Sequence, residues 1–169
     1  MNGYFYLATP YTKYPLGIQA AFEDACMVAA WFMDEGLPVF CPIAHTHPIA
    51  AYSTHNALDS DFWVKLDHPL LAGAKRGLII VKMRGWGESS GIKAEKEFFE
   101  KAGWPIHYVE PNVAAIRDFA NGQRLAPRDP DQSRQPPFVY HNCWRCDNGA
   151  KPCVDQNPGS CQYLHARND

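Results

Sequence analysis

The sequence predicts an open α/β fold built on a mostly parallel sheet. Three observations carry that expectation: short, continuously apolar runs that read as buried strands, amphipathic helical stretches between them, and a strict alternation of the two. A chain of 169 residues, 46% hydrophobic and with a net charge of −2, holds enough apolar material for one main core plus a small appendage.

Residues 4–8, Tyr-Phe-Tyr-Leu-Ala, form an aromatic and aliphatic run stopped by Thr9-Pro10, a first strand ending in a loop. Residues 17–35 place Ile18, Ala21, Phe22, Ala25, Val28, Ala29 and Phe32 at helical spacing, and Gly36 supplies the stop. Leu37–Cys41 reads as a second strand. Residues 42–76 begin with a His-rich loop, Pro42-Ile43-Ala44-His45-Thr46-His47-Pro48, and become helical around Asp59–Ala74, where Pro69 restarts or kinks the helix. Gly77–Lys82, with Leu78-Ile79-Ile80-Val81, is a third strand whose unbroken hydrophobicity suits a parallel interior position. A helix over residues 92–102 and a strand over Pro105–Val109 complete the series. Right-handed crossovers then give a Rossmann or flavodoxin-like sheet flanked by helices. Ligands of such sheets bind beyond the carboxyl ends of the strands, so Thr9–Lys13, Pro42–His47 and Met83–Gly91 converge on one crevice.

Residues 1–111 make up this domain. Residues 112–137 combine a helix with a linker, 121–137, that is rich in Pro and polar groups. Residues 138–169 form a Cys/His-rich module. Of the six cysteines, Cys143, Cys146, Cys153 and Cys161 crowd there, with His141 and His165 as further donors. Cys-x-x-Cys lets two thiolates grip one tetrahedral ion, and a segment this short has no apolar core of its own, whereas zinc contributes about 10–16 kcal/mol. Structural zinc is therefore the expected cofactor, with an iron–sulfur cluster or unligated or disulfide-bonded cysteines as alternatives, and no organic cofactor is expected. Trp144, Arg145, Lys151 and Arg167 could touch nucleic acid, but nothing in the overall charge requires it.

No apolar run approaches the length of a membrane span, and the N-terminus lacks a basic region followed by a cleavage site, so a cytoplasmic protein is expected.

Glu95 stands out within the fourth helical stretch. At about 100° per residue, Ile92, Phe98, Phe99 and Ala102 fall within about 60° of it, while Lys93, Lys96, Glu97, Glu100 and Lys101 lie about 100° or more away. It is a carboxylate on an apolar stripe, either satisfied in the core or used for chemistry. The preceding Gly85-Trp86-Gly87-Glu88-Ser89-Ser90-Gly91 brings backbone N–H groups and hydroxyls to a helix N-terminus, where anions bind and where an ionised Glu95 is favoured. Read without function, Ser90 caps that helix. Asp67 shares a helical face with Trp63, Leu71 and Ala74 if the helix runs uninterrupted; otherwise it caps a helix starting near Pro69. The His45-x-His47 pair serves metal, substrate or loop hydrogen bonding, with no third metal ligand at useful spacing.

The order Tyr6-Leu7-Ala8-Thr9-Pro10-Tyr11, then Asp67 with Leu71, then Gly85-Trp86 with Ser89-Ser90-Gly91-x-x-x-Glu95 and Ala102-Gly103-Trp104-Pro105, resembles the nucleoside 2-deoxyribosyltransferase superfamily. The closest flavour is its phage-type domains of unknown function; 2′-deoxynucleoside 5′-phosphate N-hydrolases and CMP N-glycosidases also belong there. The resemblance covers roughly residues 4–110. It implies cleavage or transfer at the N-glycosidic bond of a nucleoside or nucleoside monophosphate, with Glu95 as nucleophile, Asp67 as the acid at the base and Tyr6 beside the nucleophile. It implies substrate contacts from Thr9, Pro10, Tyr11, His45, His47, Trp86, Ser89, Ser90 and Gly91, with Ser89 at the 5′-phosphate, and a homo-oligomer. The first loop departs from the pattern, because Thr9-Pro10-Tyr11-Thr12-Lys13 stands where the monophosphate hydrolases carry glycine, serine and arginine. Two other functions fit the same residues: a non-catalytic nucleotide sensor or DNA-associated adaptor, and a glycohydrolase of NAD type.

Overall fold

The chain divides into Met1–Arg124 and Leu125–Asp169, and the computed structural model describes residues 3–123, within the first unit. The expected cysteine module and the linker beyond Gln123 lie outside the described residues.

Four strands form one sheet in the order β2-β1-β3-β4: β1 (Phe5–Ala8), β2 (Val39–Phe40), β3 (Gly77–Val81) and β4 (Ile106–Val109). Every pairing is parallel, with Tyr6 beside Phe40 on one side and Leu78 on the other. β1 and β3 are buried along their whole length, which is why both read as unbroken apolar runs. Their side chains alternate between two cores. Phe5, Leu7, Ile79 and Val81 pack with Val28, Phe32 and Ile116 from α1 (Gly17–Asp34) and α5 (Val113–Gln123). Tyr6, Ala8, Leu78 and Ile80 pack with Leu71, Ile92 and Phe99 from α3 (Ser60–Gly73) and α4 (Ser90–Ala102). Burying each of these large side chains contributes about 1.5–3 kcal/mol. The fifth helix, α2 (Pro42–Ala50), packs on α1. Among the described residues no helix is long and apolar enough to cross a membrane.

α1 ends where Gly36 takes φ 78°. Its N–H donates to Met33 O at 2.8 Å and Leu37 N–H reaches Phe32 O at 3.0 Å, closing the helix with the left-handed residue that the sequence supplied. Arg117 of α5 then reaches the buried Glu35 at 3.0 Å, fastening α5 to that end of α1.

Four expectations need correction. The His-rich stretch is not a loop but α2. Cys41 is extended at φ −110°, ψ 111°, Pro42 occupies the first turn, where its missing N–H costs nothing, and Thr46 Oγ1 donates to Pro42 O at 2.8 Å. α3 runs unbroken past Pro69, and its N-cap is Asp59, whose side chain accepts from Phe62 N at 3.2 Å, so Asp67 caps nothing. The cap of α4 is Ser89 rather than Ser90, with Ile92 N–H donating to its hydroxyl at 3.4 Å. α5 continues through Gln123, so Asn121, Gly122 and Gln123 of the expected linker are helical.

Candidate functional site

A wholly parallel sheet sends every strand's carboxyl end to one edge. The strand order reverses direction at β1, since the chain moves outward to β2 on one side and then crosses to β3 on the other. In open α/β sheets ligands bind at such a reversal, which here falls at the carboxyl ends of β1 and β3.

Tyr6 lies on the buried β1 at 2% exposure, facing α3 and α4, with its ring 5.8 Å from Phe40 and 6.5 Å from Phe99. Its hydroxyl makes a side-chain hydrogen bond to Glu95, and both Glu95 and Asp67 act on it electrostatically. Strand β1, helix α3 and helix α4 thus bring Tyr6, Asp67 and Glu95 into one group. Burial and the two nearby carboxylates raise the Tyr6 phenol well above its ordinary value, so it remains a hydrogen-bond donor.

Glu95 is half-buried as a residue, and enclosure of its carboxyl group is the main cause that lifts its pKa to about 8; Asp67 adds to the rise and the Tyr6 hydrogen bond opposes it. The helix N-terminus does not hold Glu95 ionised, as the sequence suggested. The dipole's influence fades within the first turn, and Glu95 sits in the second turn after Ser90. Asp67 is also half-buried, and desolvation raises it to about 6 against the opposing charge of His45. Between about pH 6 and pH 8 the two carboxyls therefore share about one proton, held mainly on Glu95.

His45 is exposed on the first turns of α2, its ring 5.6 Å from Phe40. His47 turns elsewhere: Nδ1 lies 2.6 Å from the Tyr11 hydroxyl, Nε2 lies 3.2 Å from Gln19 Oε1, and the ring stacks on Phe22 at 4.4 Å. The two histidines have separate partners, and no group of three His, Cys, Asp or Glu side chains suited to a metal exists among the described residues.

Thr9 and Pro10 are buried, and Thr9 Oγ1 lies 3.9 Å from the Cys41 thiol. Burial pushes that thiol up to about 12, so it is not a nucleophile at neutral pH. Ser89 is buried and committed to its cap, whereas Ser90 and Gly91 are exposed at the start of α4. Trp86 packs partly buried against the Tyr6 side of the sheet, 5.8 Å from Tyr108.

The first and third loops touch. Gly85 adopts φ 79°, and a Cβ there would stand 2.6 Å from Lys13 O. Next to that contact Tyr14 donates a hydrogen bond to the buried Asp24 of α1, and Arg84 acts on Tyr14 electrostatically. Sequence reasoning missed this brace, and Gln19 and Glu23 with it, because Asp24 sits on α1 among residues that otherwise read only as packing. It also missed the influence of His45 on Asp67, which depends on α2 being a helix.

A match to the family described as a Domain of unknown function (DUF1937) covers residues 3–110. None of the curated proteins compared with the chain matches it.

Proposed function

The chain belongs to the DUF1937 family, and from its own residues we propose that it cleaves or transfers the N-glycosidic bond of a nucleoside or nucleoside monophosphate. The observation that supports this reading is the meeting of Glu95, Asp67 and Tyr6, three groups from three elements, beside the switch point of a flavodoxin-like sheet. Two carboxyl groups sharing one proton are the equipment a retaining glycosidic reaction uses.

In the proposed reaction the ionised Glu95 attacks the anomeric carbon as the bond to the base breaks, and Asp67 gives its proton to the departing nitrogen. Water or a second base then releases the sugar from Glu95, and Asp67 takes the proton back. Tyr6 positions the Glu95 carboxylate and stabilises its charge. The reactive arrangement has the proton on Asp67, the opposite of the resting preference. With the Glu95 carboxyl raised further than that of Asp67, that arrangement is the minor form of the singly protonated site. Activity should accordingly follow a bell centred near neutrality.

We further propose, from the sequence alone, that the tail holds structural zinc through Cys143, Cys146, Cys153 and Cys161, and that the protein is a cytoplasmic homo-oligomer of phage-type nucleotide metabolism. No catalytic step passes through the metal. Near-stoichiometric zinc in the purified full chain is the expected result; its absence removes that part of the proposal.

The test of the main reading is incubation with a panel of nucleosides and monophosphates, followed by chromatography for free base. Wild-type protein should release base and Glu95→Gln should not. Unchanged binding and no release by either protein would favour a sensor instead.

A further inference from the structure

Two phenols on one face of the sheet reach the two helices that carry the proposed catalytic carboxyls. Tyr4 and Tyr6 lie two residues apart, so both point toward α3 and α4, and their rings meet Phe40 at 6.2 Å and 5.8 Å. Tyr6 bonds Glu95 itself. Tyr4 instead bonds the main chain of α3, its hydroxyl donating to Leu70 O at 2.6 Å. That carbonyl is available because Ala74 N–H closes the helix on Leu71 O, at 3.2 Å, and leaves Leu70 O for a side chain. The fit is close, since a Cβ on Gly73 would stand 2.7 Å from the Tyr4 hydroxyl oxygen.

Little else ties α3 to the sheet. Among its described residues Leu71 alone is buried, and Val64 and Leu66 are exposed. Its first turns are braced to the segment before them, with Trp63 Nε1 donating to Asn56 O at 2.9 Å and His55 stacked on Phe62 at 3.6 Å. Further along, His68 meets Phe98 of α4 edge-on at 5.4 Å. Pro69 has no N–H, so the helix lacks the rung to Lys65 O that would span Asp67. Asp67 thus sits where α3 is weakest, and its position is set from the C-terminal turn, where Leu70 follows three residues on along the same face.

Building on the glycosidic reading above, the geometry points to Tyr4 as a positioning residue: by holding Leu70 O it fixes where α3 presents Asp67 to Glu95, without touching a reacting atom. Two carboxyls that act on one bond from different sides tolerate little change in their separation. The titratable groups facing Asp67 are Tyr6 from β1, Glu95 from α4 and His45 from α2. Burial among these elements raises the Asp67 carboxyl to about 6 and outweighs the opposing charge of His45, so loosening α3 returns that carboxyl toward its ordinary range.

The experiment compares full-length wild type with Tyr4→Phe, Gly73→Ala and the double variant. Tyr4→Phe keeps the ring and removes the donor, whereas Gly73→Ala keeps the donor and pushes it off Leu70 O. Once the hydroxyl is gone, the nearest ring atom lies 3.5 Å from the added carbon, so the double variant should behave as Tyr4→Phe alone. The carbon-13 resonance of the Asp67 carboxyl, assigned by its loss in Asp67→Asn, is followed against pH, and kcat and KM are measured with a 2′-deoxynucleoside. Each single variant should titrate Asp67 about one pH unit below wild type and move the acid limb of kcat/KM with it. It should also lower kcat about tenfold while KM holds. An unchanged Asp67 titration in either folded single variant, or a further displacement when Gly73→Ala is added to Tyr4→Phe, overturns the inference. Loss of the folded state in both single variants overturns it too, since Tyr4 would then support the core as a whole. A displaced Asp67 titration in a protein that releases no base defeats only the glycosidic reading; base release with Asp67 unmoved defeats only the role of Tyr4.

Discussion

The Tyr6 hydroxyl is hydrogen-bonded to Glu95, joining a fully buried strand of the sheet to the helix that carries the proposed nucleophile. Because that bond favours the ionised carboxylate, it counteracts part of the burial that raises Glu95. Tyr6→Phe should move the alkaline limb of the kcat/KM profile to higher pH by about one unit. It should also lower the plateau, since the arrangement with Glu95 ionised and Asp67 protonated becomes rarer. Both effects are read from one set of pH–rate curves with the wild type and the variant.

Glu95 should also make folding stability depend on pH. Its folded pKa of about 8 lies above the ordinary 4.5. The folded chain therefore holds a proton that the unfolded chain releases, and this contribution is complete below about pH 4.5 and lost as pH rises through about pH 8. Within that window the loss approaches about 1.4 kcal/mol per pH unit. Asp67, raised from 3.8 to about 6, acts in the same direction over a lower window. Glu95→Gln should flatten the decline. Urea unfolding across the range measures it, and equal slopes in the two proteins would contradict the buried carboxyl.

Ser89→Ala removes the side-chain acceptor for Ile92 N–H. A stability loss of about 1 kcal/mol is expected, whereas Ser90→Ala, at an exposed position outside the cap, should be nearly neutral. Thermal denaturation of the pair distinguishes the two serines.

Gly85 is where the first and third loops meet, and its backbone tolerates no side chain. Gly85→Ala combines a left-handed residue with a Cβ 2.6 Å from Lys13 O, at a cost of about 1–2 kcal/mol for the conformation alone. It should also lower activity by displacing the Thr9–Lys13 loop. Gly87→Ala is the control, because nothing stands within 4 Å of its added carbon. Melting temperature and turnover should fall together for the first and hold for the second.

The strands and α1 were legible because each has a single periodicity and a clear stop, as with the apolar run of β3 and Gly36 after α1. α2 was not, since Pro48 and the histidines obscure its weak apolar face, although Pro42 at the first helical position after an extended Cys41 was a usable cue. Glu95 was legible as the odd carboxylate of an apolar stripe, and Asp67 once its helix was taken as continuous. The protonation of that pair was not legible, because it depends on how completely neighbouring elements enclose each carboxyl, and dipole arguments from helix position pointed the other way. The Tyr11–His47–Gln19–Glu23 chain joins a loop and two helices, and only their packing brings its members within hydrogen-bond distance.

The most direct test is covalent capture of the sugar. A nucleoside bearing fluorine at the sugar 2′ position destabilises the positive charge that builds on the ring, which slows release of a glycosyl-enzyme and allows it to be trapped. Peptide mass analysis should find the fluorosugar esterified to Glu95, with one equivalent of base released and no adduct in Glu95→Gln. Free base with the sugar attached to another residue, or a wild-type protein that releases no base and gains no mass, would contradict the assignment of Glu95 as nucleophile.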